Sequence, residues 1–208
     1  MRALPAPLLL ITDRHLARHP LLDTVAEAFA GGCRWISLRE KDLTPPERLD
    51  LLRRLLALAE PWRACVSVHA DVAAAERLSL PAVHLPAGAD IRGARAQLGP
   101  RTLIGVSTHV PAETATVREA GADYITFGPV LPSLSKPGYG TVDGLRDLAV
   151  TTATATLPVV ALGGVTAGTS RLCREQGAAA VAMIGAIMRA PDPAAATRDV
   201  LQALNLGL

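Results

Sequence analysis

Eight short apolar segments recur along the chain: "LLLIT" (8–12), "RWISL" (34–38), "ACVSV" (64–68), "PAVHL" (81–85), "TLIGV" (102–106), "DYITF" (123–127), "PVVAL" (158–162) and "AAVAMI" (179–184). Each has the length of a buried strand, and Ala- and Leu-rich stretches of helical character separate them. Strand and helix in strict alternation predict a parallel sheet, and eight is the strand number at which such a sheet closes on itself. The expected fold class is therefore α/β, a single (β/α)8 TIM barrel occupying residues 1–208 as one domain. Half of the 208 residues are hydrophobic, enough for one sizeable core. A doubly wound open sheet is the rival, but no GxGxxG follows the first strand.

Local signals agree with that reading. "LTPPERLDLLRRLLALAE" offers Thr44 as a cap, prolines in the first turn and leucines at three- and four-residue spacing. Gly31-Gly32, Gly121-Ala122 and Gly177-Ala178 precede strands 2, 6 and 8, where helix-to-strand turns need positive φ. The formal charge of +2 and the lack of a basic stripe argue against nucleic acid as partner. No apolar run reaches a membrane span, and the opening "MRALPAPLLLITDRHL" lacks a cleavable signal pattern, so a soluble, cytoplasmic protein is expected. Cys33, Cys65 and Cys173 are dispersed and odd in number, which suits buried thiols better than disulfides or a zinc knuckle. A homodimer stays among the expectations, with no interface stripe to place it.

In a barrel of this kind chemistry sits where strands end and βα loops begin. "WISLREKD" ends strand 2, and side-chain alternation puts Ser37, Arg39 and Lys41 on one face with Glu40 on the other. A hydroxyl, a guanidinium and an ammonium together make an anion clamp. "FGPVLPSLSKPGYG" follows strand 6, where prolines stiffen a loop carrying Ser133, Ser135 and Lys136 as donors for a phosphate or diphosphate. Gly163-Gly164 after strand 7 and Ile184-Gly185-Ala186 after strand 8 fit a phosphate cup, where bare backbone lets N–H groups approach an anion. His69 after strand 3, and Ser107 with His109 after strand 5, reach the same rim, and both histidines are expected to titrate near neutrality. His84 reads as a core histidine with a backbone partner. His15 and His19 read as solvent-facing, and Asp13 and Arg14 as braces between loops.

"LLLITDR", "WISLREKD", "AVHLP", "IGVSTH", "GADYITFGPVLPSLSK", "PVVALGGV" and "GAAAVAMIGAI" occur in an order and spacing that resembles the thiamine phosphate synthase/TenI family over nearly the whole chain. The family's synthases couple thiazole phosphate to hydroxymethylpyrimidine diphosphate with Mg²⁺ on the diphosphate, and its TenI branch aromatises thiazole carboxylate phosphate without metal. By that resemblance Arg39 and Lys41 face the diphosphate or a related anion. Ser133, Ser135 and Lys136 stand where synthases carry two threonines and a lysine. Ser107 matches the serine of the GxSxH element, and Gly163, Gly164, Ile184 and Gly185 match the thiazole phosphate pocket.

Departures from the family pattern set the expected reaction. Ser37 replaces a glutamine, His69-Ala70 stands where synthases read Asn-Asp, and after strand 4 Ala89 replaces a metal carboxylate, with Asp90 one residue later. A diphosphate leaving group needs its charge neutralised, usually by carboxylate-held Mg²⁺. The sequence therefore predicts an isomerase, a TenI-type thiazole tautomerase without cofactor or metal. Its acid/base residues would come from His69, His109 and Lys41; Pro129 occupies the family's histidine position, and His69 is preferred because it stands in the vacated metal position. The alternative is a thiamine phosphate synthase holding Mg²⁺ through Asp90, and a second alternative is a non-catalytic or regulatory protein that binds thiazole phosphate. In every case the partner is a small phosphorylated thiazole.

Overall fold

The computed structural model describes residues 2–132 and 143–205. The strands form where the apolar segments placed them: β1 (Leu8–Ile11), β2 (Trp35–Leu38), β3 (Cys65–His69), β4 (Ala82–Leu85), β5 (Leu103–Thr108), β6 (Tyr124–Phe127), β7 (Val159–Leu162) and β8 (Ala180–Met183). The helices between them are α1 (Leu21–Ala30), α2 (Pro45–Ala59), α3 (Val72–Arg77), α4 (Ile91–Leu98), α5 (Thr114–Glu119), α6 (Gly144–Thr154) and α7 (Ala167–Glu175). A short α8 (Gly185–Met188) and a terminal α9 (Pro193–Asn205) follow β8. All neighbours pair in parallel and β8 pairs with β1, so the sheet closes into a (β/α)8 barrel.

Two apolar layers explain why these strands read as continuous hydrophobic runs. Leu8 and Leu10 of β1 join the large cluster between sheet and helices, while Leu9 and Ile11 point into the barrel. Alternation of successive side chains produces that split. The interior is filled by Trp35 and Tyr124, whose rings meet edge to face with centroids 5.1 Å apart. Small residues make room for them: Ala82, Ala180 and Ala182 share the interior cluster, and Gly105 lies directly against the Tyr124 ring.

A Cβ at Gly105 would fall inside the van der Waals shell of the Tyr124 ring. Gly105→Ala is therefore expected to cost about 1–3 kcal/mol through overpacking, seen as a lower urea midpoint at an unchanged slope. Wild-type stability in that variant would mean the tyrosine ring moves without cost.

Turn and cap chemistry follows the expected logic. Gly32, Gly121 and Gly177 adopt φ of 106°, 108° and 86° just ahead of β2, β6 and β8. Thr44 and Glu47 form a capping box at α2, with the Thr44 N–H donating to Glu47 Oε2 at 2.8 Å. On the rim formed by the strand N-termini, Arg95 donates to the carbonyls of Gly99, Thr102 and Gly121 and pairs with Asp123. That rim is held by structure-forming bonds, which leaves the opposite rim for chemistry.

Candidate active site at the strand ends

Loops after β1 and β2 are knitted together before any ligand enters. The Thr12 N–H donates to the Ser37 carbonyl at 3.0 Å, and its hydroxyl accepts the Arg39 N–H at 2.9 Å. Arg14 donates its backbone N–H to both Glu40 oxygens at 3.1 Å and its guanidinium to Glu40 and Asp42. Glu40 is almost fully buried by this brace. Its hydrogen bond from Arg14, with a second from His15, holds the Asp42 carboxyl well below the usual carboxylate range. Both acids of "LREKD" are thus bound to Arg14, and Arg39 and Lys41 with Asp13 border a cavity of about 350 Å³. β2 ends at Leu38, so the predicted alternation places Ser37 inside the wall, Arg39 half-buried at the rim and Lys41 exposed beyond it. Ser37 Oγ, also buried, has no hydrogen-bond partner among the described residues. A buried hydroxyl in that state calls for a water or a ligand atom.

Register then sets the next ring. Ser37 pairs with Ser67, two residues before His69, and His69 pairs with His84. Their imidazoles stack with centroids 5.7 Å apart. His69 is half-buried, and desolvation followed by the charges of Arg39 and Lys41 pushes its pKa down to about 4. The expectation that it titrates near neutrality is corrected: partial burial, with the charges of Arg39 and Lys41 adding to it, keeps the imidazole neutral at pH 7. His84 is indeed buried, but its partners are side chains rather than backbone. Tyr124 Oη lies 3.1 Å from Nδ1, Ser107 Oγ 3.0 Å from Nε2, and Thr126 Oγ1 3.4 Å from the same nitrogen. Burial, with a smaller contribution from His69, lowers its pKa to about 3. His109 is exposed, and its Nδ1 donates to the Gly128 carbonyl at 2.7 Å.

On the far side, Gly163 and Gly164 take φ of 93° and 68°. A Cβ on Gly163 would meet Pro129 Cα at 2.7 Å, and one on Gly164 would meet the Leu131 and Pro132 carbonyls at 2.5 Å. These glycines let the segment after β6 close over β7, with the Val130 and Leu131 N–H groups donating to the Leu162 and Gly163 carbonyls. The sequence reading assigned them only to backbone approach by an anion, and close chain packing is an added reason for them. Ile184 is the N-cap of α8 and Gly185 its first residue, directly after β8. Ser133, Ser135 and Lys136 lie outside the described residues.

A carboxylate-held magnesium does not fit the side chains present. Ala70, at φ 61°, follows His69 where a ligand is expected. The Asp71 carboxylate caps α3 at Ala74 N and pairs with Arg48 at 2.6 Å. Asp90, the residue reserved for metal, also serves as an N-cap: its Oδ1 accepts the Gly93 N–H at 2.9 Å and opens α4. Among the described residues no group of three or more His, Cys, Asp or Glu is arranged to hold an ion.

Cys33 and Cys173 are buried as expected, whereas Cys65 is only half-buried, and burial pushes all three thiols up, to about 11, 11 and 12 in the order Cys33, Cys173 and Cys65. Such thiols are poor nucleophiles. A larger cavity of about 560 Å³ sits at the opposite rim around Arg2, Arg95 and Asp123, whose polar groups already bind each other and nearby carbonyls. Tyr124, Thr126, Thr12 and Glu40 were missed as site residues. Tyr124 and Thr126 share the inward face of "DYITF" with Gly128, so two-residue periodicity marks them; nothing local to Thr12 or Glu40 does.

Comparison with known proteins bears on this site. A family model, TMP-TENI, described as thiamine monophosphate synthase, matches residues 8–187. A Geobacter sulfurreducens protein provisionally named a thiamine-phosphate synthase is 42% identical over 199 residues, 95% of this chain and 93% of its own. A thiamine-phosphate synthase from Salinispora tropica is 36% identical over 203 residues, covering 94% and 96%. The solved thiamine phosphate pyrophosphorylase from Pyrococcus furiosus superposes with a TM-score of 0.87 at 28% identity, covering 97% and 96%. The isomerase expectation is corrected by these names. Relatives across nearly the full length are called synthases, which are transferases. No helix among the described residues is long and apolar enough to cross a membrane.

Proposed function

The chain belongs to the TMP-TENI family of thiamine monophosphate synthases, and from that premise we propose that it joins thiazole phosphate to hydroxymethylpyrimidine diphosphate. The thiazole nitrogen forms a bond to the exocyclic pyrimidine carbon, the carbon–oxygen bond to diphosphate breaks, and the diphosphate leaves with the electron pair. Negative charge therefore grows on the leaving group. Arg39 and Lys41 supply positive charge for it at a rim where Glu40 and Asp42 are bound to Arg14. Ser133, Ser135 and Lys136 add donors to the diphosphate in this proposal. Ser37 and Ser107 present hydroxyls to the pyrimidine side, and the Gly163-Gly164 turn with Ile184-Gly185 receives the thiazole phosphate. His69 lines the site as a neutral imidazole that offers one donor and one acceptor.

What supports this reading is Arg39 at the strand-end rim, its N–H bound by Thr12 Oγ1 and its side chain bordering a cavity with Lys41, in a chain matched nearly end to end by proteins named synthases. Purified protein given both substrates should form thiamine phosphate and release diphosphate in equal amounts. Ala70 in place of a carboxylate favours a second reading, a binder of the same phosphorylated thiazole without turnover. Calorimetric binding of thiazole phosphate with no product, with or without added Mg²⁺, would establish that second reading instead.

A further inference from the structure

We propose that Tyr124, acting through His84, is a positioning residue that fixes Ser107 as a hydrogen-bond donor toward an acceptor atom of the ligand. The inference rests on the reading that Ser107 faces the substrate, and it specifies what that serine can recognise.

The argument is an inventory of protons. Tyr124 is fully buried, and among the described residues its hydroxyl has one hydrogen-bond partner, His84 Nδ1 at 3.1 Å. A buried O–H without an acceptor is costlier to tolerate than an oxygen with a vacant lone pair. The phenol therefore donates to Nδ1. A neutral imidazole carries one proton, so accepting at Nδ1 puts that proton on Nε2. Nε2–H then donates to Ser107 Oγ at 3.0 Å, with Thr126 Oγ1 at 3.4 Å as the weaker neighbour. Burial of His84 beneath His69 keeps the ring neutral and the direction fixed. With its inner lone pair filled, Ser107 must send its own hydrogen elsewhere. Ser107 is half-buried at the end of β5, so that direction is the open rim. The ligand atom it meets must accept: an anionic oxygen or an unprotonated ring nitrogen. Gly105 belongs to the same device, because only a residue without a side chain lets the Tyr124 ring lie where it reaches His84.

Two measurements test this. In ¹⁵N-labelled protein without ligand, imidazole nitrogen shifts should show His84 protonated on Nε2 in the wild type, with Tyr124→Phe moving the proton toward Nδ1 or populating both forms. A wild-type ring protonated on Nδ1 overturns the proposal, whatever the enzyme's reaction proves to be. In calorimetry with hydroxymethylpyrimidine diphosphate, Tyr124→Phe and Ser107→Ala should each weaken binding by about tenfold. The double variant should be no weaker than Ser107→Ala alone, because the tyrosine works through the serine. Equal further loss in the double variant would reduce Tyr124 to a packing residue and refute the inference. Absence of binding in the wild type would defeat the synthase reading, leaving the tautomer measurement to decide the relay.

Discussion

Arg39→Ala is expected to lower kcat/KM for diphosphate release by about 100- to 1,000-fold, the usual loss when one preorganised charge-stabilising donor is removed. The residue is held for that task. Its N–H is bound by Thr12 Oγ1, its neighbour Glu40 is bound to Arg14, and its charge is felt by His69 across the rim. Arg39→Lys keeps the charge but loses the planar fork that grips two phosphate oxygens, so an intermediate loss is expected. Circular dichroism should show the fold intact, since Arg39 is half-buried and outside the strand core. Activity within threefold of wild type in Arg39→Ala would remove this residue from the diphosphate site and weaken the synthase reading with it.

The second large effect is acid lability. His69 and His84 have pKa values depressed to about 4 and about 3, against an ordinary value of about 6.5 in the unfolded chain. Between those limits the unfolded state binds protons that the folded state refuses. Depressed histidines therefore contribute stability fully above about pH 6.5 and lose it as pH falls toward the folded values. With two such groups the unfolding free energy should drop by up to about 2.7 kcal/mol per pH unit between pH 6 and pH 4. Against a total of about 5–15 kcal/mol, the accumulated loss of about 6 kcal/mol at pH 4 is a large fraction of the stability. Asp42 and Glu47, whose carboxyls are held low by Arg14 and Thr44, act only in a more acidic window. Urea titrations at pH 7.5, 6 and 5 would read the slope, and His69→Gln should roughly halve it. A flat profile from pH 7.5 to 5 would mean both rings protonate in the folded protein.

These two effects separate what the strand ends do for chemistry from what they cost in stability. Desolvation of two stacked imidazoles, with Arg39 and Lys41 adding to it at His69, makes this part of the rim sensitive to acid. The charges of Arg39 and Lys41, which add to the desolvation that depresses His69, have the sign that attracts phosphate.

Much of this was readable from residue order. Strand number, strand positions and the rim carrying Arg39, Lys41, His69 and Ser107 follow from alternation and from the βα repeat, because in a parallel barrel every strand ends on the same side. Family membership was readable too, since its motifs are contiguous strings. The reaction was misread. Asn-Asp replaced by His69-Ala70 looked like a base entering an emptied metal position, and a histidine's usual pKa made that chemistry plausible. Local sequence carries no record of which charges surround a ring.

What the chain determines alone is periodic or contiguous: eight βα repeats, the capping box at Thr44 and Glu47, and the glycines that turn helices into strands. Tertiary structure decided what depends on neighbours far apart in sequence. Arg14 binds Glu40 and Asp42 from another loop, and Tyr124 reaches His84 from two strands away. Asp71 and Asp90 each cap a helix through one carboxylate oxygen, a role that only the folded chain reveals. The physical reason is range. Backbone geometry and side-chain alternation act over a few residues, whereas desolvation and hydrogen-bond partnership are properties of the space a closed barrel creates.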